Sequence, residues 1–587
     1  MVGIALAVAV GLPGNFGLVG GVGLTASGVA AAPVVAPQTG TTVNVRRFGA
    51  SGSAQTTCGS ILAGSHVLTL SSAIDFKDGM GIFIPNAGPL STLGTPAAPT
   101  VKIGGGPSGQ YTYGYRIVAL DGRGGGSSAS PVGWITNGPA TLGGLGSNGA
   151  GNGLAINKAN WLAISVGNLP AAPGGYAVYR TAVPQGSGLS TGFIGIYSYT
   201  NAPFLDFGQH VKTPPPGVPA NPPTAPLGRS LVSIIRSGGG TRTLTLAGAA
   251  STSVVADRVF HDDTAAFRAA LRTHPTRLYV PPGTYGISSA LTFDTKDGLL
   301  YGSGRASLIR YQGNSASTLV LGASGITLKD MGFDGQKTAD QLVTIRASHA
   351  LRNITVRDTV GRSSAFYGIH AANASASLAT WYTNIVVIGN LYTDCEYAIA
   401  TDGNVKNVLI NHNQVSFTDY NYAGRGISLH NSVTPQGYAY AQNFIIDGNT
   451  LRGGNHSAVI VIQGSGSGVI TDNTLLVSGG IFAFWGIGAG RTVAASGHYF
   501  FDNNNCEALW RGTGVAVNLT NVVDVGVESN TIRGFGYGFE VGGYGLPAFP
   551  DLSTNDVVLA DNRLSGIVLS PVLGTLPASV QYRNNQA

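Results

Sequence analysis

FIIDGNTL at residues 444–451 is followed one repeat later by GVITDNTLL at 468–476. In each, apolar residues alternate as on a strand that buries one face, and a turn carrying Asn ends the strand. The phrase returns as VVIGNLY at 386–392, YFFDNNNC at 499–506, GVESNTI at 526–532 and VVLADNRL at 557–564. In this register stand Asn390, Asn413, Asn449, Asn473, Asn504, Asn530 and Asn562, from 23 residues apart (Asn390 to Asn413) to 36 (Asn413 to Asn449). A sharp turn recurring at one place per repeat predicts a β-solenoid with one coil per repeat. Asn tolerates the left-handed conformation such a turn needs, and stacked Asn side chains bond from coil to coil.

A second register follows about ten residues after most turns. There a small residue opens another apolar alternation: Gly368-Ile369, Ala398-Ile399, Gly426-Ile427, Ala458-Val459, Gly514-Val515, Gly538-Phe539 and Gly566-Ile567. This predicts the next strand of each coil.

Composition agrees with a solenoid. Glycine is 88 of 587 residues and charged residues only 10%, yet 43% of the chain is apolar, which excludes polar disorder. The formal charge of +6 is diluted along the chain without a Lys/Arg cluster, so nucleic acid is not expected as a partner. Cys58, Cys395 and Cys506 are too few and too scattered for a disulfide framework or a zinc site. The opening MVGIALAVAVGL is apolar, but its first basic residue is Arg46, and the run is too short to span a bilayer. Residues 1–42 read as a Gly/Ala/Val-rich attachment arm, with an atypical export signal as the alternative, and no membrane insertion is expected.

A solenoid needs a capped end. In DDTAAFRAALRTHP, Asp262 or Asp263 can N-cap a helix whose apolar stripe is Ala266, Phe267, Ala270 and Leu271 and which Pro275 ends. LYVPPGTYGIS then reads as the first strand and turn of the body. Together, VNVRRFGASG, HDDTAAFRAAL and LYVPPGTYGIS resemble the opening signatures of the pectate-lyase-like superfamily of polysaccharide lyases, glycoside hydrolases and phage tailspikes. The resemblance covers residues 43–52 and about 258–587. It implies an all-β fold, a right-handed single-stranded parallel β-helix with an N-terminal capping helix. It also implies a homotrimer bound to a bacterial surface polysaccharide in a virion tail.

Roughly 200 residues separate signatures that usually adjoin. SHVLTLSSAIDFKDGMGIFIPNAGP and LVSIIRSGGGTRTLTLAGAA alternate like strands, and they predict a small β layer within 43–96 and 214–257, beside the cap. Residues 97–213 resemble an inserted fibronectin type III-like sandwich, and TPPPGVPANPPTAP reads as a stiff linker before the body at 258–587.

Function on a solenoid belongs on a lateral face. Counting alternate residues from each small residue sets His370, Ala400, Ser428, Ile460, Phe482, Ala516 and Glu540 in one outward column. Asp402, His430, Ile462, Phe484 and Asn518 form a second. Exposed Ile460, Ile462, Phe482 and Phe484 would need a cover, either subunit contact in a homotrimer or a loop such as 485–497. Asp447, Asp472, Asp502, Glu528 and Asp561 sit beside turn asparagines and read as structural. Asp394, Glu396 and Asp402 share one coil, near Arg425 and His430 of the next, and form the candidate catalytic cleft. Glycoside hydrolysis needs one protonated and one ionised carboxyl, whereas elimination needs a base and cations. His370, Ser428, Glu507, Trp510, Arg511 and Glu540 are candidate substrate contacts. No calcium loop or cofactor motif is present in the sequence. The leading expectation is a virion tail protein that binds and cleaves a bacterial surface polysaccharide, with its arm joined to other tail proteins. A non-enzymatic adhesin and a secreted cellular lyase or hydrolase remain as alternatives.

Overall fold

The computed structural model describes residues 41–105, 108–139, 161–165, 175–197, 204–206, 208, 211–212, 214–313, 317–373, 380–418, 425–430, 432–434, 437–439, 441–453, 459–463, 466–477, 479–484, 496–509, 511–520, 522–541, 555–574, 576 and 578–586. Residues 1–40 of the N-terminal arm, Trp510 and most of the 485–497 loop lie outside these residues.

Among the described residues the body is a parallel β-helix. A 22-stranded sheet takes two strands from most coils and an 11-stranded sheet takes one, with parallel pairing throughout. Inward residues stack by type: Ile369, Ile399, Ile427 and Ile460 are paired rung by rung and at most 1% exposed.

The asparagine register is a ladder. The backbone N and Nδ2 of Asn390 both donate to Asn413 Oδ1, at 3.0 and 2.9 Å. Asn413 does the same to Asn449, Asn449 to Asn473, Asn473 to Asn504, Asn504 to Asn530, Asn530 to Asn562 and Asn562 to Asn585. The left-handed residue is one place earlier than expected. Gly389, His412, Gly448, Asp472, Asn503, Ser529 and Asp561 take positive φ, and the ladder Asn turns inward to satisfy buried backbone groups.

Beside the ladder, burial raises the Asp447, Asp502 and Glu528 carboxyls, and repulsion from neighbouring acids adds to it. An acid whose folded pKa lies above its unfolded one binds protons better when folded. These groups therefore cost nothing below the unfolded pKa and destabilise as pH rises through the folded one. Asp472 is the charge that acts on both Asp447 and Asp502. Asp472→Asn is therefore expected to raise the thermal midpoint slightly at about pH 8, with no gain near pH 3. A pH series of melting curves checks it.

The cap is as expected in place and different in detail. Helix Thr264–Leu271 buries Phe267 and Ala270, and Phe267 meets the Tyr285 ring edge-on at 5.4 Å. Asp262, not the N-cap Asp263, accepts the Thr264 N–H at 3.0 Å. Asp263 instead accepts from Ser51 N at 2.8 Å, which ties GASG to the cap. Strand Thr42–Asn44 pairs in parallel with Arg277–Tyr279 and starts the helix sheet.

The segments expected as a β layer close into a six-stranded barrel, with Thr56–Ile61 and Val254–His261 among its strands. Between its halves lie a four-stranded and a three-stranded antiparallel sheet sharing one core of Tyr113, Tyr115, Leu162, Ile164, Val178 and Ile194. These strands, from Thr100–Gly105 to Phe204–Asp206, fall within residues 97–213, where the sequence predicts an inserted sandwich. Inside it, the fully buried Arg180 and Asp206 pair at 2.6 Å, and Tyr115 OH donates to the same carboxylate at 2.7 Å. The Pro-rich stretch is not a free spacer. Val218 packs with Val118, Leu120, Tyr179 and Phe193 of the four-stranded sheet, and Tyr179 OH donates to Pro219 O at 3.0 Å.

Candidate functional site

Three consecutive strands of the 11-stranded sheet, Tyr367–Ala372, Tyr397–Asp402 and Arg425–His430, carry five of the eleven predicted residues: His370, Asp402, Arg425, Ser428 and His430. Their registers align Tyr367, Tyr397 and Arg425, then His370, Ala400 and Ser428, then Ala372, Asp402 and His430. The small Ala400 leaves the His370 ring room to lean to the next coil, where its Nε2 lies 2.7 Å from Asp402 Oδ2. Asp402 Oδ1 meets His430 Nδ1 at 3.3 Å, and His430 Nε2 lies 2.7 Å from Ser428 Oγ. Burial alone raises the Asp402 carboxyl, but the bonds and charges of the two histidines outweigh it and hold it well below the ordinary carboxylate range.

One step toward the strand starts, Tyr367 stacks on His370 at 3.8 Å and Phe366 lies 4.8 Å from Tyr397. The Arg425 guanidinium sits 5.3 Å over the Tyr397 ring. Glu396 precedes this strand. Burial pushes its carboxyl up to about 7 against the charges of Lys212 and Arg425, and Asp340 pushes the same way. Asp340 is likewise raised by burial, while the Gln341 side chain and His370 pull it back.

The pairing of Glu396 with Asp402 does not hold as a catalytic pair. Six residues of extended strand place their backbones about 20 Å apart, beyond reach of a single glycosidic bond. A second raised acid whose charge acts on Glu396 is Asp340, which the sequence did not single out. Tyr367 N donates to Asp340 O and Tyr397 N to Phe366 O, both at 2.8 Å, and Arg425 N to Glu396 O at 2.7 Å. Asp340, Phe366 and Glu396 are thus successive rungs. The two acids stand two rungs apart, about 10 Å between backbones, with Phe366 on the rung between them.

Other predicted residues are elsewhere. Asp394 is a turn residue with φ 53°, whose carboxylate accepts from Thr418 N and Oγ1, both at 2.6 Å. Glu507 is exposed on the other sheet, between Leu476 and Arg533. Arg511 is exposed beyond that strand. Glu540 bonds Asn518 four coils beyond Ser428, roughly 19 Å along the axis. Ile460 and Ile462 are buried in the core, because their coil is one residue longer than the count allowed, and Val461 takes the outward place beside Ser428. Ala516 is core as well, and Asn518 stands in its column. The aliphatic half of the patch that suggested a subunit contact is therefore inside the molecule.

No group of His, Cys, Asp and Glu among the described residues could hold a metal ion. Two shallow recesses of about 260 and 280 Å³ lie under the Pro-rich stretch and beside the Asn ladder, away from this cluster.

Residues 253–437 match the family model described as "Rhamnogalacturonase A/epimerase, pectate lyase-like". The matched segment is 185 residues long (437 − 253 + 1), under a third of the chain. It contains all the site residues above from Asp340 to His430. No curated protein matches the chain by sequence. Among solved structures, the A-module of a mannuronan C-5 epimerase of Azotobacter vinelandii aligns at 15% identity over 56% of this chain and 96% of its own, with a TM-score of 0.38. A tailspike of E. coli bacteriophage HK620 in complex with a pentasaccharide aligns at 9% identity over 55% and 61%, with a TM-score of 0.40. The endo-xylogalacturonan hydrolase of Aspergillus tubingensis aligns at 12% over 55% and 94%, with a TM-score of 0.35.

Proposed function

We propose that this chain hydrolyses glycosidic bonds of a polysaccharide, with Glu396 as general acid and Asp340 as general base. The observation that carries the reading is the two-rung separation of these carboxyls. About 10 Å between backbones is close to the roughly 6.5–9.5 Å at which inverting glycosidases hold their two carboxyl groups apart to admit a water. Asp340 takes a proton from that water as its oxygen attacks the anomeric carbon. Glu396 gives its proton to the departing oxygen as the old bond breaks. Glu396 is the acid because it is the group pushed to about 7. Phe366 and Tyr397 offer ring faces to a sugar, and Arg425 and Lys212 offer hydrogen-bond donors. Since the acid works protonated, kcat/KM is expected to fall as pH rises through about 7. Initial rates across pH check this.

A bacterial surface polysaccharide as substrate, a virion tail as setting and a homotrimer as assembly belong to the same proposal, and the resemblance of the three opening signatures supports them. A second reading, proton abstraction beside a sugar carboxylate, is favoured by the bonded His370, Asp402 and His430. Capsular polysaccharide, lipopolysaccharide and exopolysaccharide from candidate hosts test the two together. New reducing ends without ultraviolet absorbance mean hydrolysis, both signals mean elimination, and binding with neither means an adhesin. Asp402→Asn is expected to leave most of a hydrolytic rate and to abolish elimination.

A further inference from the structure

We infer that Gln341 is a positioning residue: its amide locks His370 as an imidazolium paired with Asp402 and so keeps a fixed positive charge beside the base Asp340. The inference deepens the hydrolytic reading and rests on it for the role of Asp340. Its physical content is a count of donors and acceptors.

Gln341 opens the strand Gln341–Ile345 and points its two amide ends at different groups. Nε2 donates to Asp340 Oδ2 at 3.4 Å, and Oε1 accepts from Thr344 Oγ1 at 2.6 Å. Turned the other way, the amide would set its oxygen against the carboxylate that Asp340 keeps ionised as general base, so the orientation follows from the hydrolytic reading. Oε1 also lies 3.1 Å from His370 Nδ1. An amide oxygen can only accept, so Nδ1 carries a proton. His370 Nε2 faces the ionised Asp402 at 2.7 Å, which likewise only accepts, so Nε2 carries one too.

His430 has no such constraint. Its Nδ1 faces Asp402, but its Nε2 meets the Ser428 hydroxyl, which donates or accepts as required. Of the two histidines on Asp402, His370 is thus the one whose two ring nitrogens both face acceptors. His370 is 5% exposed, so solvent screens its charge little. The charged and titratable groups around it are Asp340, Asp402, His430 and the stacked Tyr367, with Glu396 and Arg425 on the two coils that follow, on the side away from Asp340, and Lys212 near Glu396.

The test uses the whole chain with ¹⁵N-labelled histidine, and His370→Gln assigns the signal. At about neutral pH, NMR should find both ring nitrogens of His370 protonated in the wild type, one in Gln341→Met, and both again in Gln341→Glu, whose carboxylate restores the acceptor. The acid limb of kcat/KM against pH should move upward in Gln341→Met, where Asp340 loses an N–H donor and a neighbouring cation. It should also move upward in Gln341→Glu, which adds a negative charge. A neutral His370 in the wild type overturns the inference whether or not any polysaccharide is cut. A changed His370 with an unmoved acid limb overturns its link to Asp340 and leaves the hydrolytic reading standing.

Discussion

Glu396→Gln is expected to lower the rate of polysaccharide cleavage by about 10²- to 10⁴-fold, the range over which a positioned general acid acts. Gln keeps the size of Glu and cannot give up a proton to a leaving oxygen. The fall in kcat/KM above about pH 7 should disappear with the carboxyl that causes it. A substrate with an activated aryl leaving group needs little protonation, so its hydrolysis should suffer much less than that of the natural chain. That contrast separates loss of the acid from loss of binding, which lowers both alike. Asp340→Asn should cost a comparable factor on both substrates, because the water still needs a base. Unchanged cleavage in Glu396→Gln, measured by reducing ends over a pH series, would remove this carboxyl from the mechanism.

The largest expected loss of stability comes from the ladder. Asn473 is 1% exposed; its Nδ2 donates to Ile446 O, Thr471 O and Asn504 Oδ1, and its Oδ1 accepts the backbone N and Nδ2 of Asn449. Asn473→Ala removes these bonds and strands buried donors and carbonyls, for about 3 to 5 kcal/mol at roughly 1 kcal/mol net per bond with the added cost of unpaired groups. Asn473→Asp keeps the acceptor but replaces the donating amide with a buried charge facing two carbonyls, and should be worse. Asn585 ends the described ladder and is partly exposed, so Asn585→Ala should cost much less. Urea denaturation of the three variants checks the order. Equal losses at Asn473 and Asn585 would mean the ladder does not act as a buried unit.

The ladder was legible because one job recurs in every coil and only one short side chain both accepts from the coil before and donates to the coil after. The placement of the strained residue was not, since Asp, Gly, His and Ser can all sit left-handed next to it and leave no uniform letter. The outward columns were legible through Ser428 and failed at Ile460, because a single extra residue exchanges the two faces of a strand. Asp340 was missed for a related reason. It lies before the repeat becomes regular, and Glu396, the acid proposed to work with it, stands 56 positions away in sequence (396 − 340). A usable signal was present in YGIH, YAIA and RGIS, whose first letters align the rings and the guanidinium that line the site.

The long insertion also sets a clock. Strand Thr42–Asn44 pairs with Arg277–Tyr279, which a ribosome reaches 233 residues later (277 − 44). At about 5 to 20 residues per second, that first strand waits roughly 10 to 50 seconds for its neighbour. The sandwich and the first barrel strands emerge during the wait. Three residues offer little unpaired edge to a passing chain, so brevity protects this strand until its partner is made.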